Sequence, residues 1–248
     1  MKGIVLAGGL GTRLAPLTRI SNKHLLPIYD QPMIYYPIQT LIEAGITEIL
    51  IVTGGNSAGD FLKLLRNGAE FGLRRVHYAY QEGEGGIAAA LSLAEDFADG
   101  GPICVVLGDN ILENSIAPYV KKFRHQGVGA KILLSEVPDP QRFGVPVIED
   151  GHIVRIEEKP ADPKSPYAVI GVYMYDNRVF DIIKTLKPSG RGELEITDVN
   201  NAYIESGDLT WDVINGWWTD AGTFDSLLHA SNLVAEMRAR KSKIASGD

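Results

Sequence analysis

The residues best suited to chemistry lie near the start of the chain, where GIVLAGGLGTRLAPLTRISNK runs from Gly3 to Lys23. A short apolar run, Gly3-Ile4-Val5-Leu6-Ala7, enters the glycine-rich turn Gly8-Gly9-Leu10-Gly11-Thr12-Arg13, and Lys23 follows. Glycine has no Cβ to hold an anion off the main chain, so such a turn presents backbone N–H groups to phosphate. Arg13 offers a planar fork and Lys23 a mobile point charge. The expected task is to cradle nucleotide phosphates. The turn lacks the Lys-Ser/Thr ending of a Walker loop and the third glycine of a dinucleotide fingerprint. A plain strand-to-helix turn would use one or two of the glycines, but it gives no reason for Thr12-Arg13 or Lys23. The carboxyl end of a first strand is also where open α/β sheets bind ligands.

A second loop, Gly83-Glu84-Gly85-Gly86-Ile87-Ala88, matches G-x-G-x-x-A and on that ground alone suggests NAD. Glu82 and Glu84 would then sit beside a pyrophosphate, which argues against it. A wall for a nucleotide base is the better use, with Gln81 offering an amide donor and acceptor; an ordinary helix-entry loop is the alternative. Asp109 ends the run Leu107-Gly108-Asp109-Asn110 at the ligand edge of a sheet, where Mg²⁺ takes one or two carboxylates plus substrate phosphates. Asp220, in Trp217-Trp218-Thr219-Asp220-Ala221-Gly222-Thr223, is a second metal candidate or a helix cap. Glu158 and Lys159, in Glu157-Glu158-Lys159-Pro160, could take sugar hydroxyls and a phosphate, or could be charges on a solvated edge. Arg191, between Gly190 and Gly192, is a candidate phosphate clamp. His24, His77, His125, His152 and His229 make no metal spacing, and Cys104, inside Ile103-Cys104-Val105-Val106, reads as a buried small hydrophobe.

The elements that must position these residues alternate between apolar strand-like runs and amphipathic helical runs through the first half, the pattern of a largely parallel sheet with helices on its faces. Strands are predicted at Gly3–Ala7, Glu48–Thr53, Arg75–Gln81 and Ile103–Leu107, and helices at Met33–Ala44, Ala58–Arg66, Ile87–Phe97 and Ser115–His125. The second half changes character. Strand Lys131–Val137 is followed by a hairpin over Val145–Lys159 turning at Asp150-Gly151, strand Tyr167–Tyr175, helices Asn177–Leu186 and Ile196–Ser206, strand Thr210–Ile214 and a closing helix Phe224–Lys243. The expected fold is Rossmann-like α/β, with a mostly parallel mixed sheet. The 248 residues suit one domain, with a nucleotide-binding part over about 1–130 and a sugar-phosphate part over about 131–248. The net charge of −7 disfavours nucleic acid as a partner. No apolar run reaches the roughly 18 residues of a membrane span, and an intracellular, cytoplasmic protein is expected.

Taken together, Gly8-Gly9-Leu10-Gly11-Thr12-Arg13, Lys-x-Leu-Leu-Pro (Lys23 to Pro27), Gln-Pro-Met-Ile (Gln31 to Ile34), Leu-Gly-Asp-Asn, Glu-Glu-Lys-Pro and Trp-Thr-Asp-Ala-Gly-Thr resemble the sugar-1-phosphate nucleotidyltransferases over nearly the whole chain. The later motifs, with Gly-Glu-Leu-Glu-Ile-Thr-Asp-Val-Asn (Gly192 to Asn200), favour the thymidylyl branch. The resemblance implies transfer of a nucleotidyl group from dTTP to glucose 1-phosphate, with Mg²⁺, giving dTDP-glucose and pyrophosphate. It implies that Leu6, Ala7, Gly8, Gly9, Gly11, Thr12, Arg13 and Lys23 hold the nucleotide and its triphosphate, that Gln81 and Gly86 contact the base, and that Asp109 and Asp220 bind metal. On the sugar side it implies Gly144, Glu158 and Val169 near hydroxyls, and Lys159 and Arg191 on the phosphate. Arg13, Lys23 and Lys159 would be catalytic, and a homo-oligomer is implied.

Two departures bear on base choice. Phe143 stands where a Tyr-Gly pair is usual, and the Gln81 to Ile87 loop replaces one that contains proline. Few residues follow the closing helix, where longer members carry helices contributing to their tetramer and regulatory site, which leaves feedback inhibition by a dTDP-sugar open. A uridylyl- or guanylyltransferase, a catalytically silent nucleotide-sugar-binding subunit and an NAD-dependent oxidoreductase are the rival readings. The chemistry needs no general base, because the attacking oxygen belongs to a phosphate already ionised at neutral pH.

Overall fold

The alternating apolar runs become a nine-stranded mixed sheet with helices on both faces in a computed structural model, which describes residues 1–246. In chain order the elements are β1 (Lys2–Ala7), two-residue strands β2 (Pro27–Ile28) and β3 (Gln31–Pro32), α1 (Tyr35–Glu43), β4 (Glu48–Gly54), α2 (Ala58–Leu65) and β5 (Arg75–Gln81). Then come α3 (Ile87–Ser92), α4 (Glu95–Ala98), β6 (Ile103–Leu107), β7 (Asn110–Leu112), α5 (Ala117–Gln126) and β8 (Ala130–Glu136). The chain continues through β9 (Gly144–Glu149), β10 (His152–Glu158), β11 (Tyr167–Tyr175), α6 (Arg178–Thr185), α7 (Ile196–Glu205), β12 (Leu209–Val213), β13 (Trp218–Asp220) and α8 (Phe224–Ser246). No described helix is long and apolar enough to cross a membrane.

The strand order β10-β9-β11-β6-β1-β4-β5 places β1 at the centre, parallel to both β4 and β6. After β1 the chain winds first to one side, through β4 and β5, and then returns to the other at β6. This reversal opens a crevice at the carboxyl ends of β1 and β6, the place where an open α/β sheet takes its ligand. From β11 outward the sheet becomes antiparallel, and β8 pairs with both β11 and β12. The strand alternation splits the core in two. Ile4 and Leu6 pack with Leu91, Phe180 and Tyr203 on one face, while Val5 and Ala7 pack with Ile38, Phe61 and Phe123 on the other. Strands buried on both faces read as continuous apolar runs, as β1, β4 and β6 do.

Strands β5, β6 and β11 fall at the expected residues, and the hairpin turns at Asp150 and Gly151, both at positive φ as a tight hairpin turn requires. The helix expected over Ile87–Phe97 is instead two, α3 and α4. Between them the Ala94 N–H reaches back to the Leu91 carbonyl at 2.9 Å, a tighter turn, while Leu91, Ala94 and Ala98 all stay in the core. Strands β7 and β13 were not expected. They pair antiparallel as a short ribbon at the mouth of the crevice, with Asp220 opposite Asn110.

Candidate functional site

The cradle begins where β1 ends. Gly8 approaches the end of β5 so closely that a Cβ on it would lie 2.5 Å from Gln81 Oε1, and a Cβ on Gly54 would lie 3.0 Å from the Gly8 carbonyl oxygen. Those glycines let three strand ends converge beneath the loop. The loop then makes a single 3₁₀ turn over Thr12–Leu14, which carries Arg13. A further turn over Lys23–Leu25 is capped by Asn22, whose Oδ1 accepts the His24 N–H at 2.9 Å and the His24 Nδ1–H at 2.7 Å. Asn22 Nδ2 donates to the Ala7 carbonyl at 3.3 Å, so the cap ties this turn to the end of β1. Burial, helped by the Lys23 charge, lowers His24 to about 3 and keeps it neutral.

Lys23 Nζ lies 2.5 Å from Asp109 Oδ2, and Asn110 Nδ2 donates to Asp109 Oδ1 at 3.0 Å. Burial alone would raise the Asp109 carboxyl, but the Lys23 ammonium outweighs it and holds the group well below the usual carboxylate range. Asp109 stands between β6 and β7, and the Ala221 N–H donates to its backbone oxygen at 2.9 Å, which brings the end of β13 alongside. Asp220 is pushed upward by burial and by the negative charge of Asp109, against the pull of Arg142 and Arg13. A Cβ on Gly222 would lie 3.1 Å from both Arg13 Nη2 and Asp220 Oδ2, so this glycine leaves room for the two side chains to stand together.

The far end of the crevice is built from β9, β10, β11 and the start of α7. Gly144 pairs with Val169 across the β9–β11 ladder. Glu158 closes β10, with its Oε2 accepting the Thr197 hydroxyl at 2.6 Å and its Oε1 3.2 Å from Lys159 Nζ. Lys159 has a φ of 45°, uncommon for a residue with a side chain, and its N–H donates to the Phe143 carbonyl at 2.9 Å. Arg191 is already occupied: its Nη2 reaches both oxygens of Glu195 at 2.8 and 2.9 Å, and it lies 3.4 Å from Glu158 Oε1 and 3.5 Å from Glu193 Oε2. Three carboxylates hold this guanidinium at the cavity wall.

Between the two ends lies one cavity of about 480 Å³. Leu6, Gly8, Gly9, Thr12, Arg13, Lys23, Gln81, Gly86, Asp109 and Asp220 line it on one side, and Gly144, Glu158, Lys159, Val169 and Arg191 on the other. Two expected contact residues do not line it. Ala7 is fully buried, and the Gly11 carbonyl accepts the Thr18 hydroxyl at 2.9 Å. The glycine-rich loop at Gly83 to Gly86 also lines the cavity, and it is sewn to the segment before α7 by the Leu194 N–H, which donates to the Gly85 carbonyl at 2.8 Å.

The structure adds residues that sequence reading missed: His24, Asn110, Arg142, Thr197, Asn200 and Trp218 all line the cavity. Asn110 Oδ1 accepts from Trp218 Nε1 at 2.7 Å and from the Gly171 N–H at 2.8 Å, locking the β7–β13 ribbon to β11. Arg142 is anchored to Asp139 at 2.7 Å, reaches Asp220 at 3.5 Å, and lies over the Phe143 ring. Asn110, Thr197, Asn200 and Trp218 lie inside the motifs that carried the resemblance, and Thr197 and Asn200 also share a helix face, being three apart.

The donor set at the first end consists of carboxylate oxygens from Asp109 and Asp220, and no cluster of three or more metal-ligating side chains occurs among the described residues. Two carboxylates, of which Asp109 raises the cost of ionising Asp220, with room left for other oxygens, fit a hard divalent cation whose remaining ligands come from substrate phosphate and water.

A sequence model of the nucleotidyl transferase family matches residues 2–237. Among curated relatives, a glucose-1-phosphate thymidylyltransferase from Neisseria meningitidis is 46% identical over 238 residues, covering 94% of this chain and 82% of the relative. One from Mycolicibacterium smegmatis is 45% identical over 245 residues, covering 97% and 84%. A Bacillus anthracis protein described as a glucose-1-phosphate thymidylyltransferase and solved with sucrose superposes with a TM-score of 0.90 at 53% identity, covering 94% of both chains. A UDP-glucose pyrophosphorylase solved with UDP-glucose superposes with a TM-score of 0.85 at 26% identity, covering 95% of this chain and 98% of the other.

Proposed function

The chain belongs to the nucleotidyl transferase family, and from that premise we propose that it transfers the thymidylyl group of dTTP to glucose 1-phosphate, releasing pyrophosphate and forming dTDP-glucose. The observation that carries this reading is the cavity itself, with cationic side chains at both ends and a pair of carboxylates at one. Arg13, Lys23 and the N–H groups of the Gly8 to Arg13 loop take the triphosphate. Gln81 and Gly86 meet the base. Lys159 and Arg191 take the sugar phosphate, and Glu158 with the Gly144 and Val169 backbone takes hydroxyls. On this reading residues of about 1–130 serve the nucleotide and those of about 131–248 the sugar phosphate, with Asp220 crossing over to the metal.

The chain's own work is to hold two anions in line. The sugar phosphate oxygen that attacks is already ionised, so no side chain has to remove a proton, and rate comes from positioning and charge neutralisation. Mg²⁺ held by Asp109 and Asp220 would neutralise phosphate charge and fix the triphosphate's orientation. Lys23, paired with Asp109 in the structure, would be released to a phosphate if that carboxylate held the metal. Arg191 likewise exchanges a carboxylate partner for a phosphate. Its fork suits either, so the three glutamates keep it aligned until substrate arrives.

Support for thymidine and glucose comes from the names of relatives at 43–46% identity. Uracil differs from thymine by one methyl group, worth only about 1–3 kcal/mol in a pocket. The test is pyrophosphate release from a matrix of nucleoside triphosphates and sugar 1-phosphates with Mg²⁺. The expected result is highest kcat/KM for dTTP with glucose 1-phosphate, and no release unless both substrates are present. Release from dTTP alone, or a clear preference for another pair, contradicts the reading. A cytoplasmic location and a homo-oligomer complete it, the latter checked by light scattering.

A further inference from the structure

Helix α7 turns two polar side chains toward the sugar end of the cavity, Thr197 and Asn200, one turn apart. Thr197 is committed, its hydroxyl donating to Glu158. Asn200 is 1% exposed, and its Oδ1 accepts the Tyr175 hydroxyl at 2.7 Å, but its Nδ2 has no partner among the described residues. Turning the amide over does not remove the problem. The phenol proton of Tyr175 and the amide oxygen would then both lack partners, two orphans in place of one. Tyr175 is itself fully buried in a stack with Tyr173 and Tyr203, so the ring cannot be exchanged for water.

A buried amide donor without an acceptor is rare, and it belongs where an acceptor arrives from outside. We infer that Asn200 Nδ2 donates to a hydroxyl oxygen of the bound hexosyl phosphate and is a specificity-determining residue for the sugar, an inference that rests on the function proposed above. The surroundings complete the chemistry. Glu158 and Glu195 are carboxylates that accept, and every nearby cation is directed to phosphate or carboxylate. Asn200 therefore supplies a neutral side-chain donor beside these carboxylates. A hydroxyl placed between Asn200 and a carboxylate is satisfied as acceptor and donor at once. A sugar without that hydroxyl leaves the amide unpaired, which is how a buried polar group rejects an analogue.

The test compares glucose 1-phosphate with its monodeoxy analogues at saturating dTTP for the wild type, Asn200→Ala, Asn200→Asp and Tyr175→Phe. In the wild type, deletion of one hydroxyl should lower kcat/KM by about tenfold through loss of the Asn200 contact. In both Asn200 variants that loss should shrink to within about twofold, with KM for dTTP unchanged. Tyr175→Phe should keep the wild-type pattern, because it leaves the donor in place. Asn200→Asp preserves side-chain volume and keeps the comparison available if the alanine variant unfolds. The inference is overturned if both Asn200 variants rank the deoxy sugars as the wild type does, or if KM for dTTP rises as much as KM for the sugar. If the wild type does not turn over dTTP and glucose 1-phosphate, the function reading is what fails. The same comparison is then made with the deoxy series of the sugar that the substrate matrix identifies.

Discussion

Replacing Lys23 by methionine keeps the aliphatic stem and removes the ammonium that faces Asp109. The two charges lie 2.5 Å apart with side chains 13% and 14% exposed. At an effective dielectric of about 20 the raw attraction at that distance is about 6–7 kcal/mol, and desolvation of the two ions offsets most of it. Removing one partner of a fully buried pair costs about 3–5 kcal/mol. Here the cavity admits water to the stranded carboxylate, so a loss of about 2–3 kcal/mol at neutral pH is expected for Lys23→Met, below that scale. The double variant Lys23→Met with Asp109→Asn removes both charges and should be more stable than Lys23→Met alone by about 1–2 kcal/mol. Urea unfolding without divalent cation measures this, as a shift of midpoint at constant slope. Addition of Mg²⁺ should stabilise Lys23→Met more than the wild type, because Asp109 is then free of its lysine. Turnover should fall by about 10²–10³, the scale of losing one preorganised electrostatic contact to the transition state. A Lys23→Met variant within about 0.5 kcal/mol of the wild type, with a double variant no more stable than the single, would refute the coupling.

Other consequences are as specific. Asp220→Asn should weaken Mg²⁺ or Mn²⁺ binding by about 10- to 100-fold in calorimetry while leaving the thermal midpoint nearly unchanged, since its loss relieves repulsion with Asp109; unchanged metal affinity would remove Asp220 from the metal site. His24 is neutral when folded, so the unfolded chain binds one more proton between its ordinary pKa near 6.5 and about 3. Its contribution to stability is complete above pH 6.5 and should be lost at about 1.4 kcal/mol per pH unit below that, a limb that His24→Gln should abolish in pH-dependent unfolding. Gly86 has a φ of +89°, and a Cβ there would lie 2.6 Å from the Leu194 carbonyl oxygen. Gly86→Ala should therefore cost about 2 kcal/mol or more and raise KM for the nucleotide. Arg191→Met should lower stability by about 1–3 kcal/mol, because it strands the buried Glu195 carboxylate beside Glu158 and Glu193. It should also raise KM for glucose 1-phosphate at least about tenfold without moving KM for dTTP; equal increases for both substrates would argue against a phosphate role.

Much of this architecture was legible because local and global preferences agree. Strands β1, β4 and β6 are apolar without interruption, as strands covered on both faces must be, and Asp150-Gly151 dictates its hairpin. The loop from Gly8 to Arg13 was picked out by its glycines and cations alone, and Gly8, Gly9, Thr12 and Arg13 do line the cavity. What stayed hidden depends on long-range approach. No periodicity marks three-residue strands such as β7 and β13, whose pairing exists only because the chain returns to Asn110 more than a hundred residues later. The break between α3 and α4 is likewise invisible in a run of good helix formers. Ala7 and Gly11 were expected among the ligand contacts, and they are the two expected residues that do not line the cavity. Arg191 was read as a phosphate clamp, and the carboxylates of Glu195, Glu193 and Glu158 that hold it gave no sign of doing so in the sequence. Asn200 closes the Gly192 to Asn200 motif, but nothing in that motif assigned it a role, and only the unpaired Nδ2 drew it out.

The central claim is that one cavity holds both substrates while the sugar phosphate attacks the nucleotide. Glucose 1-phosphate labelled with oxygen-18 throughout its phosphate group, converted with dTTP and followed by phosphorus NMR, tests that claim most directly. The account predicts a nucleotide sugar in which the sugar-side phosphorus keeps all its label, including the oxygen bridging the two phosphorus atoms, and a pyrophosphate without label. Label in the pyrophosphate, an unlabelled bridge, or no nucleotide sugar at all would contradict it.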